Sequence, residues 1–321
     1  MLQQKLQGTG IRRCFCFISS FSFTVKTFAL LLLYAVLLSV SVQAQVIEHK
    51  FAIALKSGYQ QESLHWSIAG NSNGSSPNIL SELRWKNLGA ISSGINASWK
   101  IWRGLTLSGS YTTTFTVSGN VSDMDYTADN RTAVSYAENF AADKGSTASG
   151  SACLGYELKS SSGISFTPAL GYVINRDLLY LTDHTGRFPA LNSSYKTNWK
   201  GLFISLNAGI ALAPRLKVST RFTYNQVNYR ATGDWNLRTQ FEQPVSYRHR
   251  ALAYGLEASA ELTYALCKNL SVEAGSACSF WQTGNGTDQL YLSNGSTDHT
   301  QLNQVLKSCY QLNAGLKLQF E

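Results

Sequence analysis

The sequence predicts an all-β chain that closes into one ten-stranded antiparallel transmembrane barrel. Three observations carry that expectation. Apolar and polar residues alternate through ten segments, the period of strands with one apolar face. The links between those segments alternate between short and long. The composition is that of strands and turns: 321 residues with 25 Gly and 16 Tyr, 44% hydrophobic and only 14% charged.

The last segment shows the pattern most clearly. Tyr310, Leu312, Ala314, Leu316, Leu318 and Phe320 share one face, and Gln311, Asn313, Gly315, Lys317 and Gln319 share the other. Earlier segments repeat it. Phe51, Ile53 and Leu55 form a face before a long loop expected at about 56–81. Leu83, Trp85, Ile91, Ile95, Ala97 and Trp99 follow, then a short link to Leu105, Leu107, Tyr111, Phe115 and Val117. A second long loop is expected at about 118–149, before Ala152, Leu154, Tyr156 and Leu158. A tight link leads to Ile164, Phe166, Leu170, Tyr172 and Ile174. Pro168 lies among them, tolerated on a strand only where its missing donor is not needed. A third long loop is expected at about 183–198. Leu202 to Leu212 and Leu216 to Tyr224 are the next two segments, joined at Ala213-Pro214. After a fourth loop at about 230–248 come Leu252 to Tyr264 and Val272 to Phe280. A fifth loop at about 283–300 precedes the final strand.

Residues 1–44 read as a cleavable export leader. They hold Lys5, Arg12, Arg13 and Lys26, no acid, an apolar run from Ala29, and small residues at Val42 and Ala44 before a cut at Gln45. The barrel then occupies 45–321. Four cations leave with the leader, so the net charge of +8 becomes +4, and nothing in that balance calls for nucleic acid. Cys153, Cys267, Cys278 and Cys309 remain, at spacings that match no metal motif; no metal or cofactor is expected.

Charged residues on the polar faces, Arg215, Arg221, Glu257 and Glu261, suit a water-filled lumen better than a packed core. Trp85, Trp99, Tyr156, Tyr224 and Tyr264 lie near segment ends, where interfacial aromatic girdles belong. Short links place both termini on the periplasmic side of a Gram-negative cell outer membrane, with outer-membrane lipid and lipopolysaccharide as partners and small solutes as candidate cargo.

A resemblance covers essentially all of 47–321. The stretches Ser76 to Trp85, Asp123-Met-Asp-Tyr126, Leu191 to Trp199, Trp235-Asn-Leu-Arg238 and Gln243 to His249 carry it. Gly286-Thr-Asp288 with Leu302-Asn303 completes it. In them the chain resembles the Protochlamydia outer membrane protein family, within the superfamily of omptins, outer-membrane aspartyl proteases and adhesins. The resemblance implies an Asp–Asp couple at Asp123 and Asp125 and a substrate-binding acid at Glu62. It also implies an Asp-x-His pair at Asp234, but the His position is Asn236. A carboxamide takes no proton near neutral pH, so the general base of that chemistry is missing. His65, His184, His249 and His299 fall in or beside outer loops without matching spacing. Asn236→His is expected to raise any trace activity.

Two functional readings follow. The chain is expected to be a non-enzymatic, porin-like narrow pore or surface-structural barrel. The alternative is an omptin-like aspartic endopeptidase or adhesin with a degraded dyad.

Overall fold

The computed structural model describes residues 49–160 and 163–321; the expected leader lies outside them. The ten strands are β1 (Phe51–Ile68), β2 (Ser81–Trp102), β3 (Leu105–Ala128) and β4. This last is in two pieces, Thr132–Ala141 and Gly145–Tyr156, with a two-residue extension at Leu158–Lys159. They continue as β5 (Ile164–Thr182), β6 (Asn192–Ala213), β7 (Leu216–Asp234) and β8 (Tyr247–Ala265). The last two are β9 (Leu270–Thr283 and Gly286–Tyr291) and β10 (Thr297–Phe320). Each pairs antiparallel with its sequence neighbours, and β10 pairs with β1 from Phe51↔Phe320 to Ile68↔Leu302. The ring therefore has no free edge, which a bilayer demands because it offers no water to unpaired backbone groups.

The expected apolar face points outward. Leu55, Leu107, Phe115, Leu170, Leu202, Ile204, Phe222, Leu252, Leu312 and Leu316 are all exposed, as a lipid-facing belt requires. Lys50 N–H bonds Phe320 O and Lys100 N–H bonds Lys50 O, so both termini sit at the short-turn end. By the general build of such barrels this is the periplasmic end.

Two sequence expectations are corrected. The long loops are mostly strand: β1 continues to Ile68, β3 to Ala128, and β6 begins at Asn192. A spanning strand needs only ~9–11 residues, while β3 and β10 have 24 each. The excess stands above the apolar belt, where water bathes the outer wall and the alternation is polar on that side too. Trp85 is not a girdle residue. The β2–β3 register shifts between Lys86 and Ala90, so the face carrying Ile91 and Ile95 outward carries Leu83 and Trp85 inward, where Trp85 is 1% exposed. Trp99, Tyr156, Tyr224 and Tyr264 are exposed on the outer face. Among the described residues no disulfide joins Cys153, Cys267, Cys278 or Cys309.

Inside, the lumen is layered. At the outer end Trp66, Trp85, Tyr195, Tyr247 and His249 pack ring on ring; Trp85 stacks on Tyr195 at 5.5 Å and Tyr195 on Tyr247 at 6.0 Å. Gly233 lets this happen, since a Cβ there would lie 2.0 Å from the Tyr247 ring. Below, Lys307 Nζ pairs with Asp177 Oδ1 at 2.6 Å and Glu62 Oε2 at 3.3 Å, beside Trp199, Tyr229 and Trp281. Beneath that roof a polar well of about 510 Å³ runs toward the short-turn end.

Candidate functional site

The mouth gathers three carboxylates on one wall. Asp123 and Asp125 lie near the end of β3, and the β3–β4 register sets Glu138 opposite Asp123 and Tyr136 opposite Asp125. Asp123 is 9% exposed. Burial pushes its carboxyl up to about 7, the Asp125 charge adds to this, and Arg238 opposes it. Arg238 reaches over from the 235–246 loop, its guanidinium 5.5 Å from the Tyr136 ring. From the 183–191 loop Arg187 pairs with Glu138 while Phe188 meets Phe140 edge-on at 6.0 Å. The acids are therefore met by two of the chain's own guanidiniums.

The other resemblance-derived positions do not join this cluster. Glu62 is buried at the roof of the well against Lys307. Trp66 and Asp123 both pair with Leu83, so Glu62 lies four residues, or ~13 Å of strand, below the Asp123 level. The aromatic layer stands between them. Asp234 follows the inward Gly233 and so falls on the outer face, where burial raises its carboxyl and Lys196 partly offsets this. Asn236 accepts bonds from Asn192 N–H and Ser193 Oγ, both at 3.0 Å, and donates Nδ2 to Ala190 O at 2.7 Å. Its amide is a loop clamp. An imidazole there would give up that geometry, so the expected gain from Asn236→His is withdrawn.

None of the four histidines replaces it. His65 and His184 bond Glu82 and Asp143, and His299 is exposed. His249 is sealed in the core, with Nδ1 2.7 Å from Tyr195 Oη and Nε2 3.1 Å from Asp288. Sequence reasoning missed this Asp288–His249–Tyr195–Tyr229 chain because its members come from four strands. Glu82 was missed for the same reason. Burial works against its charge, but His65, Arg84 and Tyr126 hold its carboxyl well below the usual range.

Of the lumen residues, Arg221, Glu257 and Glu261 line the well. Arg215 does not: β6 ends at Ala213, so Arg215 sits exposed in the short turn before β7, and no strand face aims its side chain inward.

The outer wall carries a cluster of cations. The ladder aligns Arg176, Asn198, Arg230 and Arg250 in one row across β5 to β8. One step outward the row is Leu178, Lys196, Thr232 and Arg248; one step inward it contains Lys200. All face away from the lumen, and among the described residues none of these six cations forms an ion pair. Directly below lie Leu202, Ile204 and Leu252 of the apolar belt.

With the closed ring and its belt in view, family comparison is decisive. The Protochlamydia outer membrane protein family model matches residues 54–320. The chain belongs to that family. It is an outer-membrane protein, and its barrel is omptin-like. The outer membrane protease OmpT from Escherichia coli superposes with a TM-score of 0.67 at 15% identity, covering 88% of this chain and 99% of that one. At that identity the likeness is one of fold. The translocator domain of the autotransporter NalP from Neisseria meningitidis gives 0.40 at 9% identity, covering 86% and 91%. No curated protein sequence matches.

Asp123 supplies a pH test. A carboxyl whose folded pKa is raised from 3.8 to about 7 penalises the folded state increasingly as pH climbs through that window; below it the penalty is absent. Asp123→Asn is expected to stabilise the barrel at pH 8 and leave it unchanged near pH 4. At 1.36 kcal/mol per pK unit the gain is at most on the order of 4 kcal/mol, the Arg238 attraction being already included in the shifted pKa. Thermal gel-shift curves at both pH values check this, and equal stability of the two proteins at pH 8 would remove the buried-acid assignment.

Proposed function

We propose that this family member is a non-enzymatic, surface-structural barrel that does not conduct, seated in the outer leaflet by anionic lipid. The observation that carries the reading is the filled lumen, from the Lys307–Asp177–Glu62 trio through the Tyr195–Tyr247 stack. A barrel of about this strand number has an interior just wide enough for side chains to fill it. Within the two earlier readings this favours the structural barrel over the narrow pore.

The peptidase reading has the acid cluster in its favour. Against it stand Asn236 clamping a loop and Arg238, seated over Tyr136, countering the charge of Asp123. A general base alone is typically worth ~10²–10⁴-fold. As for partners, the six unpaired cations above the apolar belt support lipopolysaccharide, whose phosphates fit guanidinium forks. The test uses the refolded full barrel in lipopolysaccharide bilayers. No single-channel steps are expected at any voltage, nor any cleavage of a fluorogenic Arg-Arg peptide by the native or Asn236→His protein. Regular steps would restore the pore, and cleavage abolished by Asp125→Ala would restore the protease.

A further inference from the structure

Two opposite charges face the inner well without pairing. On β7, Arg221 donates Nε to Asn207 Oδ1 on β6 at 2.6 Å. On β8, Glu257 accepts from Asn225 Nδ2 at 3.3 Å. Neither has an ion-pair partner among the described residues. They are diagonal neighbours, since Arg221 lies opposite Ser259 and Glu257 opposite Thr223.

Long side chains this near each other normally close into a pair, and elsewhere on the wall they do. Lys56 bridges Glu261 and Glu273, and Lys317 Nζ meets Glu273 Oε1 at 3.1 Å. Here each group is held by its own asparagine, which keeps the guanidinium's outer nitrogens and the carboxylate turned to the well. A guanidinium fork matches a carboxylate, and a carboxylate matches an ammonium. The β3 wall offers the hydroxyls of Ser110 and Thr112, and the other charges that line the well, Lys56, Glu261, Glu273, Lys317, Lys307 and Glu62, are already in ion pairs. The well is roofed by Lys307 and Trp281, and toward the short-turn end it is lined by the Lys56–Glu261–Glu273–Lys317 network.

We propose that the well binds a small zwitterion, an amino acid or short peptide, with its carboxylate on Arg221 and its ammonium on Glu257. This does not depend on the surface-barrel reading, because the roof separates the well from the outer mouth. Trp281 lines the well and reports occupancy through its fluorescence. Glycylglycine titrated into the refolded barrel is expected to give a saturable signal. N-acetylglycylglycine and glycylglycine amide, each lacking one charge, are expected to bind roughly ten- to a hundredfold more weakly, the worth of one charge-assisted hydrogen bond. Arg221→Gln and Glu257→Gln should each produce the same loss while keeping the folded gel mobility. Absence of saturation with glycylglycine overturns the proposal. So does equal binding of the blocked dipeptides, a comparison made on the native protein even where a variant fails to fold.

Discussion

Lys307→Met is expected to destabilise the barrel by roughly 3–5 kcal/mol, the cost of leaving buried charge uncompensated. The lysine is 3% exposed, and its ammonium holds Asp177 Oδ1 at 2.6 Å, Glu62 Oε2 at 3.3 Å and the Asn175 side-chain Oδ1 at 3.0 Å. Methionine fills a similar volume but leaves two carboxylates facing each other under an aromatic roof. Adding Asp177→Asn and Glu62→Gln removes those charges, and the triple variant is expected to recover most of the loss. Urea titration of the refolded barrel, read by tryptophan fluorescence, distinguishes the cases. If the single and triple variants unfold alike, charge compensation is not what Lys307 contributes.

The second large effect is expected on the outer wall. A cation beside an anionic membrane surface is worth about 1 kcal/mol, so neutralising Arg176, Arg230 and Arg250 together removes about 3 kcal/mol, or roughly a hundredfold in affinity. The triple glutamine variant is expected to bind lipopolysaccharide that much more weakly while its binding to neutral phosphatidylcholine vesicles stays unchanged. The three residues sit on neighbouring strands in one ladder row, so a rigid array of phosphates meets them together. Unchanged lipopolysaccharide affinity would leave the row as a solvated rim. High salt should weaken native binding in the same sense, because exposed charges are screened.

These outcomes bear on how the fold is used. The outer mouth carries carboxylates, yet Arg187 already pairs with Glu138 and Arg238 sits beside them over Tyr136, and Asn236 pins together the two loops that bring these arginines. The inner well carries the opposite arrangement, with Arg221 and Glu257 held apart by Asn207 and Asn225. At the mouth Glu138 is paired with Arg187, while in the well Arg221 and Glu257 stay apart.

The ten strands, their order and their outward face are determined by the sequence alone. A membrane wall imposes a strict period of two on every spanning segment, and that period survives in residues such as Leu312, Leu316, Leu202 and Ile204 without knowledge of any partner. Asp123 and Asp125 are expected as a couple from the family resemblance, within a loop, and the structure sets both on one strand. Tertiary structure alone decided where the period slips and what lies across the lumen. A shift in the β2 register turned Trp85 from an expected girdle residue into lumen core, because extra residues within a strand exchange its faces. The Lys307 trio and the His249–Tyr195 contact join residues more than fifty positions apart, and no local pattern records which strands closure sets opposite each other. Asn236 marks the same divide. Its identity spoke against an imidazole base, and the fold assigned its amide to a loop, since the β6–β7 pairing that sets Ser194 opposite Asp234 brings Ala190 and Ser193 within hydrogen-bonding reach.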